Sequence, residues 1–143
     1  MTQKTMQLDI VSAQASIYSG QVISLVAMGQ SGELGIYPGH MALLTALKPG
    51  QVVATQEDGQ EQVFYISGGM LEVQPGELTV LADTALRAHD IDEAAAQAVK
   101  TAAEQTLTNQ KSGVEYSRAL TELAESAAQL RAISTLRKRT GSN

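Results

Sequence analysis

The 143-residue chain has no cysteine and no tryptophan, one phenylalanine and three prolines. Without cysteine there is no disulfide, no thiol nucleophile and no thiolate metal site. With so few aromatics the core has to be assembled from Val, Ile, Leu and Ala. No apolar run approaches the roughly 18 residues of a membrane span, and the start MTQKTMQ lacks the apolar segment of a secretory signal. The expected site of action is the cytoplasm or a surface facing it. A chain of this length buries one core, with at most an appendage.

Positive charge is scarce where the chain begins. Residues 1–89 hold three basic side chains, Lys4, Lys48 and Arg87, against eight acids, which accounts for the net charge of −5. The remainder is balanced, yet it ends on Arg131, Arg137, Lys138 and Arg139 with no acid among them. An acidic protein is a poor partner for nucleic acid, and no aromatics are interleaved with the basic end. A positive tip of this kind calls for an acidic docking surface.

Catalytic material is equally thin. His40 lies in a turn and His89 at a junction, neither at a fixed spacing from a serine or a carboxylate pair. Helix capping accounts for Asp90, Asp92 and Glu93 without a metal. Gly29, Gly32 and Gly35 match neither a phosphate-binding loop nor a dinucleotide fingerprint. No catalytic residue, metal or cofactor is expected.

What is present is turn chemistry and periodicity. The stretch 32–50, GELGIYPGHMALLTALKPG, packs four glycines and two prolines between apolar runs and reads as a rigid exposed corner carrying Glu33 and His40. Pro38 fixes its own φ, and Gly35 and Gly39 permit positive φ there. Met6, Leu8 and Ile10 alternate with polar neighbours as in a half-buried strand. Short strands are expected at 15–18, 21–28, 43–47, 51–56, 62–67, 71–73 and 78–81, with Asp58-Gly59 and Pro75-Gly76 turning two hairpins. Such spacing indicates an antiparallel β-sandwich or flattened barrel.

After Asp83 the period becomes helical. Asp90 to Glu93 and Ser112 to Glu115 read as capping boxes, with a break at 108–111. The first helix carries a stripe of Ile91, Ala94, Ala95, Ala98, Val99 and Ala102. The second carries Tyr116, Leu120, Leu123, Ala127 and Leu130. The two form an antiparallel hairpin whose mostly alanine stripe gives little burial energy and so detaches at low cost. The class is therefore α+β, with a sandwich at 1–86 and a helical hairpin at 87–143.

The strings GELGIYPGH, LLTALKPG, ISGGMLEVQPG, TVLADTA and DIDEA occur in order, and with them residues 8–131 resemble the epsilon subunit of the bacterial F-type (rotary) ATP synthase. The resemblance implies a non-catalytic central-stalk subunit, peripheral on the cytoplasmic face of the inner membrane, whose partners are the gamma subunit, the c-subunit ring and the alpha/beta catalytic hexamer. It implies c-ring contacts at Glu33 and His40 and gamma contacts at Ser12 and Thr45. It also implies an inhibitory contact of the extended hairpin with the hexamer through Arg131, Arg137, Lys138 and Arg139. Members that bind ATP carry Ile/Leu-Asp-x-x-Arg-Ala, and here Ala95 replaces the arginine, so weak or no ATP binding is expected. The alternative from another class is a free-standing ligand-binding β-sandwich that dimerises through the 116–130 seam.

Overall fold

The alternation of Met6, Leu8 and Ile10 becomes β1 (Met6–Ser12), with every second residue buried. The structure, a computed structural model, describes residues 4–140. Where two short strands are expected, β2 (Ser16–Gly29) runs unbroken for 14 residues. Ser19-Gly20 fails to stop it because both halves are held by neighbours: the first pairs with β1, the second with β3 and β5.

The segment 32–50 is only partly a corner, since it starts as β3 (Gly32–Ile36), folded back on β2. Positive φ falls on Gly32 (133°) and Gly39 (92°), while Gly35 is an ordinary strand residue. Next come β4 (Leu43–Leu47), β5 (Gly50–Gln56), β6 (Glu61–Ile66), β7 (Gly69–Gln74) and β8 (Glu77–Ala82), close to their expected positions. Gly59 (φ 86°) and Gly76 (φ 79°) turn the two anticipated hairpins. A short β9 (Ala85–Arg87), too brief to show a period, adds to the edge of β6.

Pairing runs β1-β8-β7-β4-β2-β5-β6-β9, with β3 on β2 and β1 also on β2, so one hydrogen-bonded sheet folds over itself as a sandwich. Every pairing is antiparallel except β1 with β8. Leu8, Ile10, Leu25, Phe64, Leu71 and Val80 meet in its interior with no accessible surface.

A 3₁₀ turn at Ala88–Asp90 leads into α1 (Glu93–Asn109). Its N-cap is Asp92, not Asp90: Asp92 accepts from the Ala95 amide at 3.0 Å, because the turn holds Asp90 outside the helix. α2 (Val114–Thr140) begins after Gly113 at φ 100°. In place of the expected Ser112–Glu115 box, Glu115 accepts from Gln110 Nε2 at 2.7 Å, across the 110–113 connection.

The buried helical faces differ from the expected stripes. On α1 they are Ala96 and Ala103, with Val99 exposed; on α2 they are Ala119, Ser126, Ala128, Ala132 and Ile133, with Leu120 exposed. The reason is that α2 packs on α1 and on the outer face of β5 and β6 together, and close approach to both selects the smallest side chains. Val53, Val63 and Tyr65 on the sheet meet Ala88, Ala128 and Ala132 in a second apolar cluster, flanked by Val26, Leu86, Ile91 and Leu136. Val52, Ala54, Phe64 and Ile66 alternate with those residues and point into the main core. Strands β5 and β6 thus separate two clusters.

Candidate interaction surfaces

The corner is built by β3 and the turn that follows. Glu33 stands exposed on β3 opposite Met28. Pro38-Gly39 reverses the chain, and the His40 amide closes the turn on the Tyr37 carbonyl at 3.1 Å. His40 Nδ1 lies 2.6 Å from the Met41 carbonyl oxygen, which can only accept. In the neutral ring the proton therefore sits on Nδ1, and Nε2 is left as an acceptor. Tyr37 and Met41 project on either side, Met41 at 81% exposure. No hydrogen bond or ion pair among the described residues joins Glu33 to His40, so the corner presents a carboxylate and an imidazole independently.

A second surface lies on the outside of β4, β7, β8 and β1. Cross-strand pairing aligns Ala46 with Met70, Met70 with Leu81 and Leu81 with Val11, and it places Leu44 beside Glu72. Leu44, Met70 and Leu81 are 65%, 37% and 52% exposed, a diagonal apolar row across β4, β7 and β8. Thr45 takes the opposite phase of β4, half-buried opposite Leu71. Ser12, at the end of β1, is buried, and its hydroxyl accepts from the Ala15 amide at 3.3 Å, pinning the turn into β2. Both side chains thus lie on the inner face of the strands that flank or carry the row, whose exposed members went unnoticed in the sequence. Consecutive Leu43-Leu44 in a strand was the available signal, since one of the two must face out.

The basic end of α2 is folded back on the protein. Arg137 forms a two-pronged ion pair with Glu93 at the start of α1, one prong at 3.1 Å, and Arg139 pairs with Glu61 of β6. The hydrogen bond and charge of Glu93 hold the Arg137 guanidinium still more firmly in its charged form. Thr135 donates to Gln51 Oε1 at 2.6 Å. Lys138 is exposed, and Arg131 lines a cleft of about 370 Å³ with Glu33, Lys48 and Gln51. Glu61 and Glu93 could not have been chosen as partners from the sequence, because they lie 78 and 44 residues away.

A larger cleft of about 450 Å³ opens between the helices and the junction. Asp90, Asp92, Glu122 and Glu125 line it together with Ala95, and no basic residue does. Arg87 locks the strand leading to it, with its guanidinium over the rings of Tyr18 (5.7 Å) and Phe64 (5.5 Å) and Nη2 donating to the Ile17 carbonyl at 2.9 Å.

Known proteins carry the same two parts in the same order. Residues 5–88 match the family described as ATP synthase, Delta/Epsilon chain, beta-sandwich domain, and residues 89–134 match ATP synthase, Delta/Epsilon chain, long alpha-helix domain. The chain belongs to the delta/epsilon family of ATP synthase. The two family matches meet at the 3₁₀ turn, where the strands end. Relatives named ATP synthase epsilon chain include one from Nitrosococcus oceani, 55% identical over 137 residues, which are 96% of this chain and 98% of that protein. Another, from Alkalilimnicola ehrlichii, is 53% identical over 135 residues, 94% of this chain and 96% of that protein. Among solved structures, a chain of the Euglena gracilis mitochondrial ATP synthase (OSCP/F1/c-ring, rotational state 1) is similar with a TM-score of 0.82 at 19% identity, covering 90% of this chain and 81% of that one. A chain of the Tetrahymena thermophila mitochondrial ATP synthase central stalk and c-ring gives 0.61 at 13%, covering 93% and 99%. At such identities the likeness is one of fold. No helix among the described residues is long and apolar enough to cross a membrane.

Proposed function

We propose that this delta/epsilon family member is a non-catalytic central-stalk subunit of a bacterial F-type ATP synthase, in which the sandwich joins the gamma subunit to the c ring and the hairpin is a detachable brake on ATP hydrolysis. The observation that carries this reading is the division of the apolar interior into two clusters, so that the hairpin can leave β5 and β6 without opening the sandwich core. What holds it down is a small contact: alanines at about 0.8 kcal/mol per buried methyl-sized group laid over Val53, Val63 and Tyr65, and ion pairs at the surface.

In this reading the apolar row of Leu44, Met70 and Leu81 is the face that meets gamma, with Ser12 and Thr45 close to gamma on β1 and β4, and Glu33 and His40 offer a carboxylate and a ring acceptor to polar groups of the c ring. The subunit sits on the cytoplasmic face of the inner membrane only through the complex. Release of the hairpin strips Arg137 and Arg139 of Glu93 and Glu61 and, with Arg131 and Lys138, turns a basic end toward acidic groups of the alpha/beta hexamer. Domain 1–86 is then the coupling part and 87–143 the regulatory one. An acidic cleft with alanine at position 95 is a poor seat for ATP, whose phosphates need cations.

The test is truncation after Arg87 in the assembled enzyme. The shortened chain should still assemble with gamma and the c ring while ATP hydrolysis rises. Unchanged hydrolysis would remove the brake from the proposal, and failure to assemble would remove the division of labour.

A further inference from the structure

With the hairpin docked, Glu125 of α2 is half-buried at the outer face of the sheet, close to the Tyr65 phenol of β6. It is faced by Glu122 from its own helix and Asp83 from the turn between β8 and β9. Asp90 and Asp92 of the junction share its cleft, to which α1 adds only Ala95, Ala96 and Val99. The uncharged Gln129 lies beside Tyr65, and His89, on the exposed side, lies 3.3 Å from Asp90. Docking thus gathers carboxylates from three elements around one partly desolvated member, with no cation among the lining residues.

We propose that protonation of Glu125 governs how firmly the hairpin sits on the sandwich, which makes the docked arrangement the acid-favoured one; this rests on the reading of the hairpin as detachable. Burial first, and then the charges of Glu122 and Asp83, raise the Glu125 carboxyl above its ordinary range when the hairpin is down. In a released hairpin that carboxyl returns to water and to its ordinary range. A group with the higher pKa in the docked state takes up a proton on docking. Docking is therefore opposed in full above the docked pKa, strengthens as pH falls through it, and gains nothing more below the released value of 4.5. Tyr65, pushed up to about 12 by burial and then by the Glu125 charge, stays neutral throughout and does not contribute. In a motor that exports protons by hydrolysing ATP, acidification of the compartment would then withdraw the brake.

The absence of cysteine allows a dye pair at Gln30→Cys and Ser134→Cys, both exposed, to report docking by energy transfer in the full chain. Between pH 8 and pH 5 the docked-to-released ratio should rise. Glu125→Gln, isosteric and uncharged, should give the acid-form transfer already at pH 8 with a flat profile, and Glu122→Gln should weaken the slope. A slope unchanged in Glu125→Gln overturns the proposal. Charge reversal of Arg137 and Arg139 to Glu separates the two readings. If reversal opens the hairpin while pH does nothing, only the proton linkage falls. If neither changes the transfer, the detachable hairpin falls as well.

Discussion

At the scale of single residues, backbone approach decides more than side-chain identity. Gly69 has φ 151°, and a Cβ there would stand 1.9 Å from the Leu81 carbonyl oxygen, so β7 and β8 meet at this point only without a side chain. Gly69→Ala should cost about 2–4 kcal/mol, measured as a lowered denaturation midpoint of the isolated chain. An effect below about 0.5 kcal/mol would mean the two strands part more easily than their pairing suggests. Residue type alone does not disclose this: ISGGMLEV shows two glycines, and only the strand opposite tells them apart. Gly68 meets nothing closer than 3.4 Å. His40 was legible as a turn residue from Pro38-Gly39 beside it, whereas the bond to Met41 that fixes its proton was not.

At the scale of elements, what the sequence disclosed follows the strength of its periodicity. β1 and β4 to β8 could be placed because alternation and turn residues agree there. The length of β2 could not, since two different sets of neighbours override its internal Ser-Gly. Both helices could be placed while their buried faces could not: with alanine at 94, 95, 96, 98, 102 and 103, several stripes look alike, and only the sheet beneath α2 selects one. That selection can be tested at Ala132, which is fully buried against β5 and β6. Ala132→Leu overfills the contact and should lift α2, loosening its backbone for rapid tryptic cleavage at the already exposed Arg131, with the sandwich's own stability changed by less than about 0.5 kcal/mol. A midpoint lowered by the full cost of overpacking, about 1–3 kcal/mol, would instead mean one continuous core.

At the scale of the whole molecule, the uneven charge distribution finds its meaning in the fold. The acidic sandwich and the start of α1 supply Glu61 and Glu93, and the basic end of α2 answers them with Arg139 and Arg137. Surface pairs of this kind are screened by salt, so raising the ionic strength from about 0.05 M to 0.5 M should shift the population toward the released hairpin. Hydrogen exchange of the α2 amides reads that shift, while those of β1 and β8 should be unaffected; uniform acceleration would contradict the separation of the two clusters. The two-sided burial of β5 and β6 has one more effect. Once the helices depart, Val53, Val63 and Tyr65 face water as a greasy stripe across the middle of the protein. A sandwich relieved of its arm is therefore a sticky object, inclined to cling to its own copies as concentration rises, and the docked arm is its shield.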